Sequence, residues 1–588
     1  MKRIVFALLL LLHFQPSSES IGQPENEDMK LERRFKQYLD AEFKAHPLFA
    51  TRSGNHDYDD KLDDISPAAR KKAIASTRTT LDELTKEIDT KKLSRSAQID
   101  YEIWQHELKK EIWLADNSDR FAADPRIYND FITESVYSLL TQSTLPLPVN
   151  VRNAVSRIRQ IPKIVQAARE SIKNPPKVLT EVALKQNKGA IAFYDSAIFA
   201  LVGEEAKNSE LKAACKAVVP VLREYQKFLE ADVLPRSTGE WRIGKKQFAD
   251  KLVLELDAGV TSQEVLKEAE DEAVRVETEM YVIARQLWKQ VFPAKVMPVD
   301  DDKGRRETIR LVLNETSKEH GKPANLVRDA IAGVDKIKSF IKDKDLLRLP
   351  NPDRCQIIEM PEFQRGFSIA YLNPAPPMDP KASSYYAIAP PPKEWDSSRV
   401  TSFMQEYNQH ILQILTIHEA YPGHYVQLEY ANRHPSLIRK ILSSGVFAEG
   451  WAVYMEKVML DEGFGDGDPK LRLHQLKWYL RAVCNAILDY KMHCTDISDE
   501  DAVLFLVLRA FQSEAEAILK VLRAKQSSCQ LSTYFVGRMA FQRVRRSVQN
   551  ELGERFELGR FHEAVLDHGS IPVKYLPEVT RERLKRGR

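Results

Sequence analysis

The stretch ILQILTIHEAYPGHYVQLEY, Ile411 to Tyr430, decides how this chain is read. Phe403, Tyr407, Ile411, Ile414 and Leu415 form an apolar stripe at helical spacing, and His418 falls on the same stripe, so His418 points inward. Glu419 follows it and His424 comes six residues later. Neutral imidazoles are good zinc ligands, and a carboxylate beside the first can accept a proton from water that the metal acidifies. The usual H-E-x-x-H signature has its histidines four apart on one helix face. A spacing of six sends them roughly 120° apart on an ideal helix. Pro422 and Gly423 lie between them, and the Pro422 ring would clash with the carbonyl of His418 itself. The helix is therefore expected to break at Tyr421-Pro422-Gly423, which can swing His424 back beside His418. Its start is expected at Ser402, where Ser402 and Gln405 fit a capping box.

A catalytic zinc takes three protein ligands and keeps a position for water. The next acidic candidates lie in FAEGWAVYME, Phe447 to Glu456. Glu449 and Glu456 are seven apart and share a helical face within roughly 20°. Ala452 and Val453 mark that face as buried, where carboxylates require cations. Glu449 is the expected third ligand because Gly450 and Ala452 leave room for close approach; Glu456 would orient a ligand histidine from behind. Pairing of both with Arg or Lys is the alternative. Farther on, Asp489 and His493 are four apart on a helix, so the aspartate could orient the imidazole and keep it charged. An imidazolium there, or a phenol such as Tyr534, could steady the oxyanion of peptide hydrolysis. A surface Asp–His pair and a core tyrosine are the alternatives.

Working outward, 588 residues with 43% hydrophobic and 29% charged content can bury a large core. A net charge of +3, with no dense basic block before the tail at Arg581–Arg588, gives no field for nucleic acid. The start, MKRIVFALLLLLHFQPSSES, has a basic pair, an apolar run from Ile4 to Phe14 and small residues at Ser18 and Ser20, the pattern of a secretory signal. The run is too short for a spanning helix of roughly 20 residues, and no cysteine follows it closely, so no stable membrane anchor is expected. A secreted or periplasmic location follows. Five scattered cysteines, of which Cys484 and Cys494 are the closest in sequence, make neither a disulfide framework nor a thiolate zinc site.

The chain divides into the signal (1–20), an N-terminal helical region (21–291), a mixed segment with short strands (292–395) and a C-terminal helical region carrying the metal site (396–588). In the first helical region Ile99, Ile103, Trp104, Leu108 and Ile112 illustrate the three- and four-residue spacing. Breaks are expected at Asn174-Pro-Pro, Pro235 and Gly259, and a capping box, Thr261 to Glu264, opens a long helix. The aspartate-rich run between His46 and Asp64 lacks a calcium-loop pattern and reads as a solvated turn with helix caps. QIIEMP, FSIAYL and SYYAIAP, within Gln356–Pro390, read as short strands. Their sheet could offer an edge to an extended peptide or simply cap the helices.

Taken together, HEAYPGH followed by EGWAVYME resembles the domain-of-unknown-function 885 family of bacterial zinc peptidases predicted from sequence, itself similar in pattern to the helical thimet-oligopeptidase and carboxypeptidase Taq group. HPLFATRSGNHDYDDKLDDIS near the N-terminus, the helix with Arg481, Asp489 and His493, Gln530 to Gly537, and Phe561 to Pro572 also look like family segments. The resemblance covers about Lys30 to Glu578. Two places depart from the pattern: Ser528-Cys529 precedes Gln530, and no second arginine closely follows Arg481. The resemblance implies a mainly α, gluzincin-like metallopeptidase fold with a small β-sheet before the active-site helix. It implies one Zn2+ held by His418, His424 and Glu449, with Glu419 as catalytic carboxylate and a short peptide as substrate. A metal-dependent hydrolase of a non-peptide amide or ester, and a non-catalytic helical protein with a vestigial metal centre, are the alternative readings. Glu419 distinguishes the last, since a binding protein has no need of an unligated carboxylate beside the first histidine.

Overall fold

The computed structural model describes residues 26–360, 370–392 and 395–586. The expected signal segment and the first half of FSIAYL lie outside these residues. The described chain is mainly helical, with one three-stranded sheet.

Helix α1 (Glu27–Ala45) starts where the Asn26 side chain accepts a hydrogen bond from the Met29 amide, and it buries Leu31, Phe35, Leu39 and Phe43 at the predicted period. Helix α2 (Arg95–Asn117) buries Ile99, Ile103, Trp104 and Leu108, as its stripe requires. Both belong to a large core that runs from Leu31 to Val579. Between them and the rest of that core, α3 (Leu147–Ser171) and α4 (Ser209–Phe228) build a second core around Val151, Ile158, Leu211 and Leu222. The chain thus leaves the main core and returns to it; residues on either side of 291 and of 395 share one core. The return is α5 (Ser262–Val291), opened by the predicted capping box of Thr261 and Glu264.

The aspartate-rich turn differs from expectation in one respect. Asp63 does cap the short Pro47–Ser53 helix, accepting from the Leu48 amide at 2.9 Å. Yet Asp59 and Asp63 are buried, not solvated: Asp59 accepts from the Thr51 hydroxyl at 2.6 Å and lies 3.8 Å from the Arg157 guanidinium. Arg157 belongs to α3, so this turn fastens the second core to the first.

The sheet follows α6 (Leu326–Asp343). Strand β1 (Cys355–Glu359) pairs parallel with β3 (Ser384–Ile388), and β2 (Ala370–Asn373) pairs antiparallel with β3, giving the order β1-β3-β2. Among the described residues β2 therefore stands at an edge of the sheet.

The helix expected from Ser402 is in fact two. α7 (Ser397–Glu406) is capped by Asp396, and α8 (Gln409–Glu419) begins after Asn408, whose side-chain oxygen accepts from the amides of His410 and Ile411. Ser402 is interior to α7. The apolar stripe continues across the joint, which is why periodicity alone did not reveal it. After the break come α9 (His424–Arg433), α10 (Gly445–Asp461) and α11 (Pro469–Cys494). The C-terminal part adds α12 (Glu514–Gln526) and α13 (Thr533–Leu552). No helix among the described residues is long and apolar enough to cross a membrane, and all five cysteines are free thiols.

Candidate metal centre

The break after Glu419 brings the two histidines together. α8 stops at Glu419, the Tyr421–Pro422 peptide is cis, and α9 starts at His424. Gly423 is required here: a Cβ on it would stand 1.9 Å from the carbonyl oxygen of His418 and 2.3 Å from that of Ile417. The chain doubles back against the end of its own helix. Trp451 of α10 holds the turn, donating its indole N–H to the Pro422 carbonyl at 2.8 Å. The imidazoles of His418 and His424 end with ring centroids 4.6 Å apart and planes at 87°.

α10 supplies the carboxylates. Glu449 Oε2 lies 3.3 Å from His424 Nε2 and 3.6 Å from His418 Nε2, and one ligand atom from each residue falls within 4.8 Å of the others. Glu456, two turns later and fully buried, lies with Oε1 2.8 Å from His418 Nδ1. That contact assigns the Nδ1 proton to Glu456 and leaves Nε2 with its lone pair toward Glu449. Glu449 Oε2 is buried and makes no properly directed hydrogen bond, although two imidazole nitrogens face it. A buried carboxylate oxygen without a partner is costly, and a cation between the three groups satisfies it. His2Glu is a zinc donor set, so the residues present fit the ion.

The electrostatics agree. Burial pushes His418 down, but the carboxylates of Glu449 and Glu456 beside it outweigh this and raise its affinity for a proton well above the ordinary range. Burial pushes Glu449 up, yet His424 and His418 hold it below the usual carboxylate range. Burial raises Glu456 despite His418. The pocket attracts positive charge, whether a proton or a metal.

Glu419 sits on the opposite side of the break. Its Oε2 accepts the Leu372 amide of β2 at 2.9 Å, which fixes the carboxylate beside the sheet edge. The small sheet thus meets the site at the residue the sequence singles out.

Tyr534 stands on α13, which makes a close crossing with α10. A Cβ on Gly450 would stand 2.4 Å from the Cα of Gly537, and one on Gly537 2.6 Å from the Cα of Gly450. α10 and α13 touch backbone to backbone there, next to Glu449 and one turn after Tyr534. Gly450 is small for this crossing, not to admit a metal. The Tyr534 phenol is pushed up to about 12 by burial and by the charge of Glu449, against Arg523 and Gln530. Arg523 Nη2 donates to the Tyr534 oxygen at 3.4 Å and to Gln530 Oε1 at 3.0 Å. Sequence reasoning missed Arg523; it lies on α12 in a run of ordinary charged helix, and only the fold places it here.

The expected pairing of Asp489 with His493 does not occur. Asp489 accepts from the amides of Cys529 and Ser532 and from the Ser532 hydroxyl, at 3.0 to 3.2 Å. His493 turns its Nε2 to the carbonyls of Ala524 and Ser527, at 3.0 and 2.9 Å, and stacks on Phe248. Burial pushes His493 below the ordinary histidine range, so the expected imidazolium is a neutral ring. These carbonyls are the unpaired ones at the end of α12, and the amides are those before α13. The two side chains cap adjoining helix ends; they position Arg523 and Tyr534 and do not face the metal centre's ligands.

The sequence profile of a family described as bacterial protein of unknown function, DUF885, matches residues 47–579. A solved structure from Shewanella oneidensis, titled a "putative lipoprotein of unknown function", is similar with a TM-score of 0.79 at 30% identity, covering 94% of this chain and 99% of that one. Another, titled a "putative lipoprotein" from Colwellia psychrerythraea, gives a TM-score of 0.77 at 18% identity, covering 95% of this chain and 100% of that one; at that identity the likeness shows the fold alone. No curated protein matches.

Proposed function

The chain belongs to the DUF885 family, and from that premise we propose that it is a secreted zinc-dependent metallopeptidase that hydrolyses peptide bonds in short peptides. One observation carries the reading: the buried, unpartnered Oε2 of Glu449 facing the Nε2 atoms of His418 and His424. Zinc held by those three residues would supply the electrophile that acidifies water and polarises a carbonyl.

The chain's own groups do the rest. Glu456 accepts the Nδ1–H hydrogen bond of His418, which keeps the proton on Nδ1 and Nε2 free to ligate. Glu419 is not among the three converging groups and is held at the edge of β2. It accepts the proton of the attacking water and delivers it to the leaving amine, the general base and acid in turn. Tyr534, protonated throughout the neutral range, donates to the oxyanion that forms at the scissile carbonyl. Export is supported by the apolar run at the N-terminus and by the titles of the two solved relatives, which name lipoproteins. On these grounds we propose export to the periplasm or beyond.

The test is metal analysis of protein purified with zinc supplied, together with a mixed short-peptide library read by mass. Wild type should carry one ion per chain and cleave. Glu419→Gln should keep the ion and lose about 10²–10⁴-fold in rate, the usual worth of a general base. Wild type without stoichiometric metal, or a Glu419→Gln variant as active as wild type, would end this reading.

A further inference from the structure

α12 carries a second cation beside Arg523. Lys520, one turn earlier, is only 6% exposed, and among the described residues its ammonium makes no hydrogen bond or ion pair. Arg481 of α11 stands near it, with its guanidinium over the Trp478 ring at 4.9 Å and Glu516 Oε2 at 3.6 Å. One Arg481 nitrogen, Nη1, is buried without a partner. Glu516 is the carboxylate these cations share, and it also accepts from the Tyr407 hydroxyl at 3.2 Å. Glu406 also bears on Arg481 but already pairs with Lys477 at 3.0 Å, and Glu516 is the carboxylate whose charge reaches both Arg481 and Lys520. Burial, followed by the fields of Arg481 and Arg523, pushes Lys520 well below the ordinary lysine range. A buried amine without an anion sheds its proton readily, and a carboxylate brought between these groups would restore the charge.

The cluster adjoins the metal centre on two sides. Arg523 donates to Tyr534, which feels the charge of Glu449. Trp478, under Arg481, lies against the carboxylate of Glu456. We propose that Lys520, Arg523 and Arg481 form a subsite for the free C-terminal carboxylate of a peptide substrate, so that the protein removes short fragments from peptide ends. The terminal carboxylate is favoured over an acidic side chain because Lys520 is only 6% exposed, which leaves little room for a chain to run on past it. Guanidinium and ammonium groups around one carboxylate give the directed, charge-assisted hydrogen bonds such recognition uses.

The assignment rests on the metallopeptidase reading for its orientation, but its test does not require turnover. Binding of tri-alanine, its C-terminal amide and Ala-Ala-Glu amide would be measured by calorimetry on Glu419→Gln protein, alone and combined with Lys520→Met or Arg523→Gln. The free acid should bind about tenfold to a hundredfold more tightly than the amide, the range set by hydrogen bonds to a charged group. Each added substitution should remove that preference. Lys520→Met replaces a buried charge with an apolar chain of similar shape, and Arg523 is exposed, so at least one variant retains the fold for the comparison. Equal affinities for acid and amide, no measurable binding of either, tighter binding of Ala-Ala-Glu amide than of tri-alanine, or an acid preference that survives both substitutions would overturn the subsite. Wild type that carries zinc and cleaves tri-alanine and its amide equally well would reject the subsite while leaving the hydrolase intact; wild type without metal would reject the hydrolase, and the binding comparison would still decide the subsite.

Discussion

Two buried histidines in this molecule have acidic residues expected near them, Glu456 behind a ligand histidine and Asp489 beside His493, and the two have opposite fates. His418 keeps its carboxylate: Nδ1 meets Glu456, and Nε2 turns toward His424 and Glu449. His493 loses its carboxylate: Asp489 goes to the amides before α13, and the imidazole goes to the carbonyls ending α12. The difference lies in what stands opposite. Around His418 the facing groups are side-chain carboxylates with few donors, so the ring is drawn toward positive charge. Around His493 they are backbone groups that helix ends leave unpaired, which any nearby polar side chain satisfies first. A histidine and an acid four apart on a helix therefore specify a pair only when the neighbouring backbone is already satisfied.

The largest effect that could break the comparison is on metal content. His418→Ala should reduce zinc from one ion per chain to near none, whereas His493→Ala should keep the ion and lose about 1–3 kcal/mol of stability through the orphaned carbonyls of α12. Equal zinc loss in both would erase the distinction. Next in size, Tyr534→Phe should slow hydrolysis about 10²–10³-fold with zinc unchanged, as removal of one oxyanion donor does; an effect on KM alone would reassign Tyr534 to substrate binding. Smaller again, Glu456→Gln should weaken zinc about 10–100-fold, the usual consequence of removing a ligand's outer partner. Asp489→Asn should leave zinc affinity unchanged, measured by competition with a chelator.

Much of this could be read before the fold was in hand, and the failures share a cause. Pro422 and Gly423 specify the break because their constraints act on the backbone within a few residues. Glu449 and Glu456 declare themselves because a buried helical face seldom carries two carboxylates. The capping box at Thr261 is equally local. The joint at Asn408 was hidden by an apolar stripe that runs through it, and Ser402 offered a plausible cap within a helix that was already formed. Gly450 was seen as small but not why, since its reason is Gly537, far along the chain. Arg523 and Lys520 carry no local mark; their meaning comes from α11 packing against α12 and from Tyr534 of α13 meeting Arg523. Spacing conveys what one helix does to itself, and the partner across the interface decides the rest.

The smallest effect separates the two histidines by acid. His493 is 2% exposed and faces backbone carbonyls, with Lys251 and Arg242 as the charges that bear on it. Burial lowers its proton affinity, and the carbonyls of Ser527 and Ala524 only partly offset this. In the unfolded chain a histidine titrates near about 6.5. Below that pH the unfolded state takes up a proton that the folded state refuses, so the stability owed to neutral His493 is present above about pH 6.5 and is lost as pH falls toward its depressed folded value. His493→Gln keeps an N–H donor for the carbonyls but cannot titrate. Chemical denaturation from about pH 7 to about pH 5 should therefore show wild type losing stability faster than the variant, while the other buried histidines, common to both proteins, cancel in the difference. Parallel curves would mean that folded His493 titrates like an unfolded one, and then the ring would be available for the charged, oxyanion-steadying role that its spacing from Asp489 suggested.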